Sequence, residues 1–169
     1  MATSAKLYNY EFTVVKTYLF AAIFIAGNLL LPQLAHLVPN GGPALLPIYF
    51  FTLIASYKYG IRVGLLTALL SPVLNSLLFG MPMLAMLPVI LIKSTLLATA
   101  AGIAATYFGK VNIVGVLLSI VAYQFLGGIA EWIIMQDLGM ALQDLRIGFP
   151  GLLIQLVGGY LLLKAIDKV

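Results

Sequence analysis

Residues 113–135 read IVGVLLSIVAYQFLGGIAEWIIM, with a single acid, Glu131, and no basic residue. At about 1.5 Å of rise per residue, a helix over this stretch is about 35 Å long. The hydrocarbon core of a bilayer is roughly 30 Å thick. The stretch therefore reads as a membrane-crossing helix, and its neighbours repeat the pattern. Before it lie apolar runs over 15–34, 44–57, 61–79 and 83–107, and after it a run over 147–163. The run at 44–57 is short, contains Pro47 and is opened by Asn40-Gly41-Gly42-Pro43, a strong turn signal. The run at 61–79 is closed by Gly80-Met81-Pro82, and the run at 83–107 is interrupted by Pro88 and Lys93.

Composition agrees with this reading. The chain has 169 residues, 63% hydrophobic and 8% charged, against roughly 25% charged in a soluble domain. So few charges exclude soluble and disordered classes. The expected fold is an all-α integral membrane protein with six transmembrane helices in a single domain, 1–169. Six helices and their loops use nearly the whole chain, leaving no room for a nucleotide-binding domain. The first run is long for a signal peptide and lacks a small-x-small cleavage site, so it is read as helix one. The chain has no cysteine, which excludes disulfides, Cys-ligated zinc and thiol nucleophiles.

The net charge of +4 reads as a topology signal rather than a nucleic-acid footprint. With six helices, Lys6, Lys16, Lys58, Arg62, Lys110, Lys164 and Lys168 fall on one side, Arg146 on the other, and Lys93 within a helix. The positive-inside rule then puts both termini in the cytoplasm and the loops 36–43, 80–83 and 136–146 outside.

Polar residues within apolar runs are costly in lipid and so informative. Thr67, Ser71 and Asn75 recur at i, i+4 and i+8, on one helix face beside Pro72. Gln124, Gly127, Gly128 and Glu131 share a face of helix five, and Gly148, Gly151, Gln155 and Gly158 a face of helix six. Close helix packing explains the small residues. Asn75 and Glu131 suit packing or a ligand equally. Lys93 is expected about 15 Å below the outer end of helix four, facing the protein interior. It has two readings that are compatible: a salt bridge to Glu131, or a contact to an anionic ligand group. His36 is either an interfacial polar residue or a ligand donor from an outward loop. Tyr49 and Trp132 suit an aromatic belt or an aromatic wall for a flat ligand.

Several chemistries lack their residues. Gly109-Lys110 is followed by Val111, so there is no phosphate-binding loop of the Walker type. A single His excludes a multi-His metal site. No Gly-x-Ser-x-Gly elbow occurs, and no spacing supports pairing His36 with Ser71, Ser76, Ser94 or Ser119. Neither an enzyme nor a cofactor or metal is expected.

The arrangement resembles the S components of energy-coupling factor (ECF) transporters, the membrane proteins that capture vitamins for bacterial uptake. The resemblance covers most of the chain. It rests on size, six helices and inside termini, and on His36-x-x-Pro39-x-Gly41-x-Pro43 through Pro47, Tyr59-Gly60, Gly64, Ser71-Pro72 and Phe79-Gly80-Met81-Pro82. Ala22-x-x-x-Ala26 looks like that family's motif for docking on the transmembrane coupling subunit. Many members carry a Glu on helix four where Lys93 stands here, which leaves the ligand open. The resemblance implies a subunit of the bacterial cytoplasmic membrane that takes a vitamin-like substrate from outside. A coupling subunit and two cytoplasmic ATPases would drive uptake, with no nucleic-acid partner. Lys93, Glu131, Asn75, His36, Gln124, Trp132 and Tyr49 are the candidate ligand-binding residues. A structural protein of the MreD type and a stand-alone small carrier are the alternative readings. Embedded Lys93, Glu131 and Asn75 favour a binding subunit over a scaffold.

Overall fold

The computed structural model describes residues 7–167. Its elements are α1 (Val15–Ala35), α2 (Gly41–Leu45), a 3-10 turn (Pro47–Tyr49), α3 (Phe50–Tyr59), α4 (Ile61–Phe79), α5 (Leu87–Phe108) and α6 (Ile113–Met135). There follow α7 (Leu138–Ala141), α8 (Gln143–Arg146), α9 (Phe149–Leu153), a π turn (Ile154–Gly158) and α10 (Gly159–Ile166). No strand occurs among the described residues. Five helices are long and apolar enough to cross a membrane: Val15–Ala35, Ile61–Phe79, Leu87–Phe108, Ile113–Met135 and Phe149–Ile166. The all-α membrane class follows from them. We call the end of the bundle carrying residues 36–46, 80–86 and 136–148 apical, and the end carrying Gly60 and 109–112 basal.

The second expected helix differs from its sequence reading. Residues 41–59 are broken into α2, the 3-10 turn and α3. The break falls at Leu46, which is left-handed (φ 47°) and precedes Pro47. A residue before proline is driven out of the right-handed helical region. The helical part from Pro47 to Tyr59 is about 20 Å long, shorter than a hydrocarbon core. It need not match the bilayer, because every residue from Thr52 to Tyr59 is buried. Packing against α1, α4, α5 and α10 makes α3 the axis of the bundle. Its polar side chains are bonded inward: Ser56 Oγ donates to the Ala98 carbonyl, and Tyr57 Oη donates to the Lys110 carbonyl at 3.2 Å.

The chain reverses from α3 into α4 at a single residue, Gly60 (φ 101°). A side chain there would be strained, and its Cβ would meet Asn9 Cα at 2.9 Å. The segment before α1 is tied to the same corner, with Tyr8 N donating to Lys58 O at 2.9 Å and Tyr10 N to Tyr59 O at 3.3 Å. Phe20 and Tyr59 stack there with centroids 4.1 Å apart. Lys58, buried at the end of α3, pairs with Asp167 at 2.6 Å. Lys6 and Lys168 lie outside the described residues.

Helix four of the sequence reading starts later than expected, at Leu87 rather than 83. Residues 83–86 form turns instead, with Met86 N and Leu87 N both donating to Met83 O. Pro88 does not interrupt the helix but sits in its first turn, where no N–H is required. Around the bundle, Leu19, Leu30, Leu77, Ile103, Phe125 and Ile133 are exposed, as a lipid-facing surface requires.

Candidate functional site

Helices α5 and α6 form the most extensive pair in the bundle, and Lys93 lies between them, 2% exposed. Its ammonium pairs with the Glu131 carboxylate of α6 and lies 2.8 Å from Asp144 Oδ2 of α8. Because α5 begins at Leu87, Lys93 sits only about 9 Å below the apical helix end, and Glu131 about 6 Å below its own. The two charges therefore meet nearly level, without the long reach that a start at 83 would demand.

Space for the lysine comes from α6. A Cβ on Gly127 would meet Lys93 Cγ at 2.5 Å, so Gly127 is the slot through which the aliphatic stem passes. Gln124, Gly127 and Glu131 recur on one face at i, i+3 and i+7. They supply in order a polar neighbour, the slot and the counter-charge.

A hydrogen-bonded chain leads from this cluster to the last helix. Gln124 Nε2 lies 3.5 Å from Asp144 Oδ2 and donates to Tyr123 Oη at 2.8 Å. Tyr123 Oη donates to Gln155 Oε1 at 3.0 Å. Gln155 is fully buried and lies in the π turn, a backbone feature frequent at functional sites. Tyr49, 3% exposed, packs beside Tyr123 with ring centroids 5.3 Å apart. It is a core residue rather than part of an interfacial belt.

Asn75 belongs to a second polar cluster, between α1, α3 and α4. Asn75 Nδ2 donates to Asn28 O at 2.8 Å and to Ser71 O at 3.1 Å. Asn28 Nδ2 donates to Thr52 Oγ1 at 3.1 Å and Ser71 Oγ at 3.3 Å, while Asn28 Oδ1 accepts from Phe51 N at 3.2 Å.

Two candidates fall outside both networks. Trp132 is 51% exposed on the outer surface of α6, where it suits a lipid-facing belt. His36 is exposed past the end of α1, and a Cβ on Gly42 would touch its imidazole. Neither takes part in the Lys93 cluster's hydrogen bonds. Gly148 and Gly151 serve packing: Cβ atoms there would strike Leu46 and Leu45 respectively. Ala22 and Ala26 are exposed along α1, so they do not pack within the chain.

The sequence reading missed Asp144, Tyr123 and Asn28. Asp144 stands in the polar stretch 136–146 with no local signal that it turns back into the bundle. Asn28 carried a signal, being polar within an apolar run.

Buried side-chain atoms without a protein partner have a common placement. Among the described residues these are Gln33 Nε2, Asn75 Oδ1, Ser94 Oγ and Gln155 Nε2. They come from α1, α4, α5 and the last span, and each lies in the apical half of its helix. An unpaired buried polar atom costs about 1–3 kcal/mol. Ser94 adjoins Lys93 in α5 and Gln155 ends the hydrogen-bonded chain from the Lys93 cluster, whereas Asn75 lies in the second polar cluster. Among the described residues no group of acidic or His side chains suits a metal ion. In comparisons with known proteins, the chain matches no family model, no curated protein and no solved structure.

Proposed function

We propose that this protein is the substrate-specific membrane subunit of an ECF-type importer, binding a vitamin-like small molecule at its apical side. The observation that carries the reading is the buried Lys93–Glu131–Asp144 cluster, whose hydrogen-bonded chain through Gln124 and Tyr123 ends at Gln155, a buried side chain with an unpaired amide nitrogen. Desolvating such groups brings little to a scaffold, since apolar packing of the same volume is often as stable. In a binding subunit they are the recognition elements. On this reading residues 41–59 count as the second of six spans, both termini are cytoplasmic and the apical end faces outward. The exposed Ala22 and Ala26 face of α1 supports the partner side of the proposal, since close helix docking needs small residues that no helix of the same chain covers. A coupling subunit and two ATPases would supply the motor. The membrane would be the bacterial cytoplasmic one.

Native mass spectrometry of the purified protein tests the proposal. One small molecule per chain is expected, and it should be lost from a folded variant carrying Lys93→Met and Glu131→Leu. Ligand-free wild-type protein, together with unchanged nutrient uptake in cells lacking the gene, would remove the reading.

A further inference from the structure

Lys93 has one counter-charge more than it needs. Its ammonium is paired with Glu131 from α6 and with Asp144 from α8, so one negative charge is left in excess. A single carboxylate already neutralises a buried ammonium, and each further ion brings its own desolvation cost. The two carboxylates are not equivalent. Glu131 is fixed on a 23-residue helix, with 6% side-chain exposure. Asp144 stands on a helix of four residues, none of them buried, and keeps 16% exposure. Between Gln136 and Ile147 only Ala141 is buried, with its carbonyl over Gly128. Ala141 and the Asp144 carboxylate are therefore the inward anchors of the apical cover formed by α7 and α8.

Of the three charges Asp144 leaves at the lowest cost, because it turns into water and regains its hydration. Lys93 stays, since its stem fills the slot at Gly127. What Asp144 vacates is a set of donors: Lys93 Nζ, 2.8 Å from its Oδ2, and Gln124 Nε2, at 3.5 Å. Further along the same hydrogen-bonded chain, the unpaired buried atom of Gln155 is again a donor, Nε2. Donors around a vacated carboxylate position fit another carboxylate. Exchanging one for the other conserves the charge of the cluster, whereas a dianionic phosphate would add to the excess. A cationic group would meet the ammonium and these N–H groups instead.

We propose that Asp144 holds the place of the substrate's carboxylate: a small monocarboxylate displaces it from Lys93 and binds there, while α8 swings toward water. The inference rests on the binding-subunit reading above and names the substrate class of that same site.

The test titrates benzoate, phenyl phosphate and benzylammonium, which share one ring and differ in charge, into full-length protein in detergent. Ligand-observed NMR gives the affinities, with protein carrying Lys93→Met and Glu131→Leu as the blank. Asp144→Asn keeps the shape of the side chain and removes its charge. It is expected to bind benzoate about tenfold more tightly than wild type, the equivalent of one charge-assisted hydrogen bond that no longer has to be broken. Asp144→Glu, which keeps a competing carboxylate, should stay near wild type, and phenyl phosphate should bind wild-type protein more weakly than benzoate does. Benzoate affinity that is unchanged or lower in Asp144→Asn overturns the exchange, as does the absence of benzoate binding by both proteins. Tighter binding of phenyl phosphate than of benzoate overturns the carboxylate assignment. Benzylammonium held by wild type and lost in Asp144→Asn overturns the proposal in favour of a cation site on the two carboxylates. The transport reading is decided separately, by the small molecule that wild-type protein retains and by uptake in cells.

Discussion

Asp144 Oδ2 lies 2.8 Å from Lys93 Nζ, joining an apical surface segment to the interior of the α5–α6 pair. Glu131 already faces the same ammonium from within α6. Lys93 is thus shared by a carboxylate on a rigid helix and one on the short helix α8. The second is more accessible, with side-chain exposures of 16% for Asp144 and 6% for Glu131.

The three charges should respond unequally to removal. Lys93→Met strands two carboxylates, one of them deeply buried, and is expected to cost about 3–5 kcal/mol. Glu131→Leu leaves Lys93 paired with Asp144 and should cost less, and Asp144→Asn less again. Adding Glu131→Leu to Lys93→Met should recover most of the stability, because Asp144 can turn toward water. Thermal melts of the four variants in detergent check this order. A double variant as unstable as Lys93→Met alone would contradict it.

Gly127 is expected to be intolerant for a reason specific to Lys93. Leucine at 127 takes the space of the lysine stem, and such overpacking costs about 1–3 kcal/mol. Lys93→Ala frees that space, so Gly127→Leu should be less harmful in the Lys93→Ala background than in the wild type. A double-mutant cycle measures the coupling, and additive effects would mean that the two residues do not share the slot.

The open face of α1 predicts a separation of folding from assembly. Ala22→Trp and Ala26→Trp add bulk to surface that no part of the chain covers, so the isolated protein should melt within about 0.5 kcal/mol of wild type. Co-purification with a coupling subunit should fall sharply. Intact assembly in both variants would move the docking face elsewhere.

Topology is open to labelling. Leu84 and Arg146 are exposed at the apical end and Lys110 at the basal end. With both termini inside, cysteines at 84 and 146 should react with a membrane-impermeant reagent on intact cells, and one at 110 only after lysis. The opposite pattern would invert the protein. Gly41 is unsuited to this experiment, since any side chain there strikes the Ala35 carbonyl.

The sequence by itself determined the class of the protein and offered the Lys93–Glu131 pair as one of two compatible readings, which the structure then shows formed. Both follow from one piece of physics: lipid offers no partner to a charge or to a bare backbone group, so apolar runs become helices and lone buried charges find each other. Tertiary structure decided what depends on relations across long separations. That α3 is the short, fully buried axis rather than a full-length span depends on neighbours wrapping it, and its own composition does not say so. Pro88 reads as an interruption along the chain, but it opens α5 and thereby levels Lys93 with Glu131. Asp144 reads as a loop residue because its partner is 51 positions away, and Trp132 reads as a site residue because its depth is legible while its facing is not. Helical periodicity states which residues share a face, and only the packing of the bundle decides whether that face meets lipid or the interior.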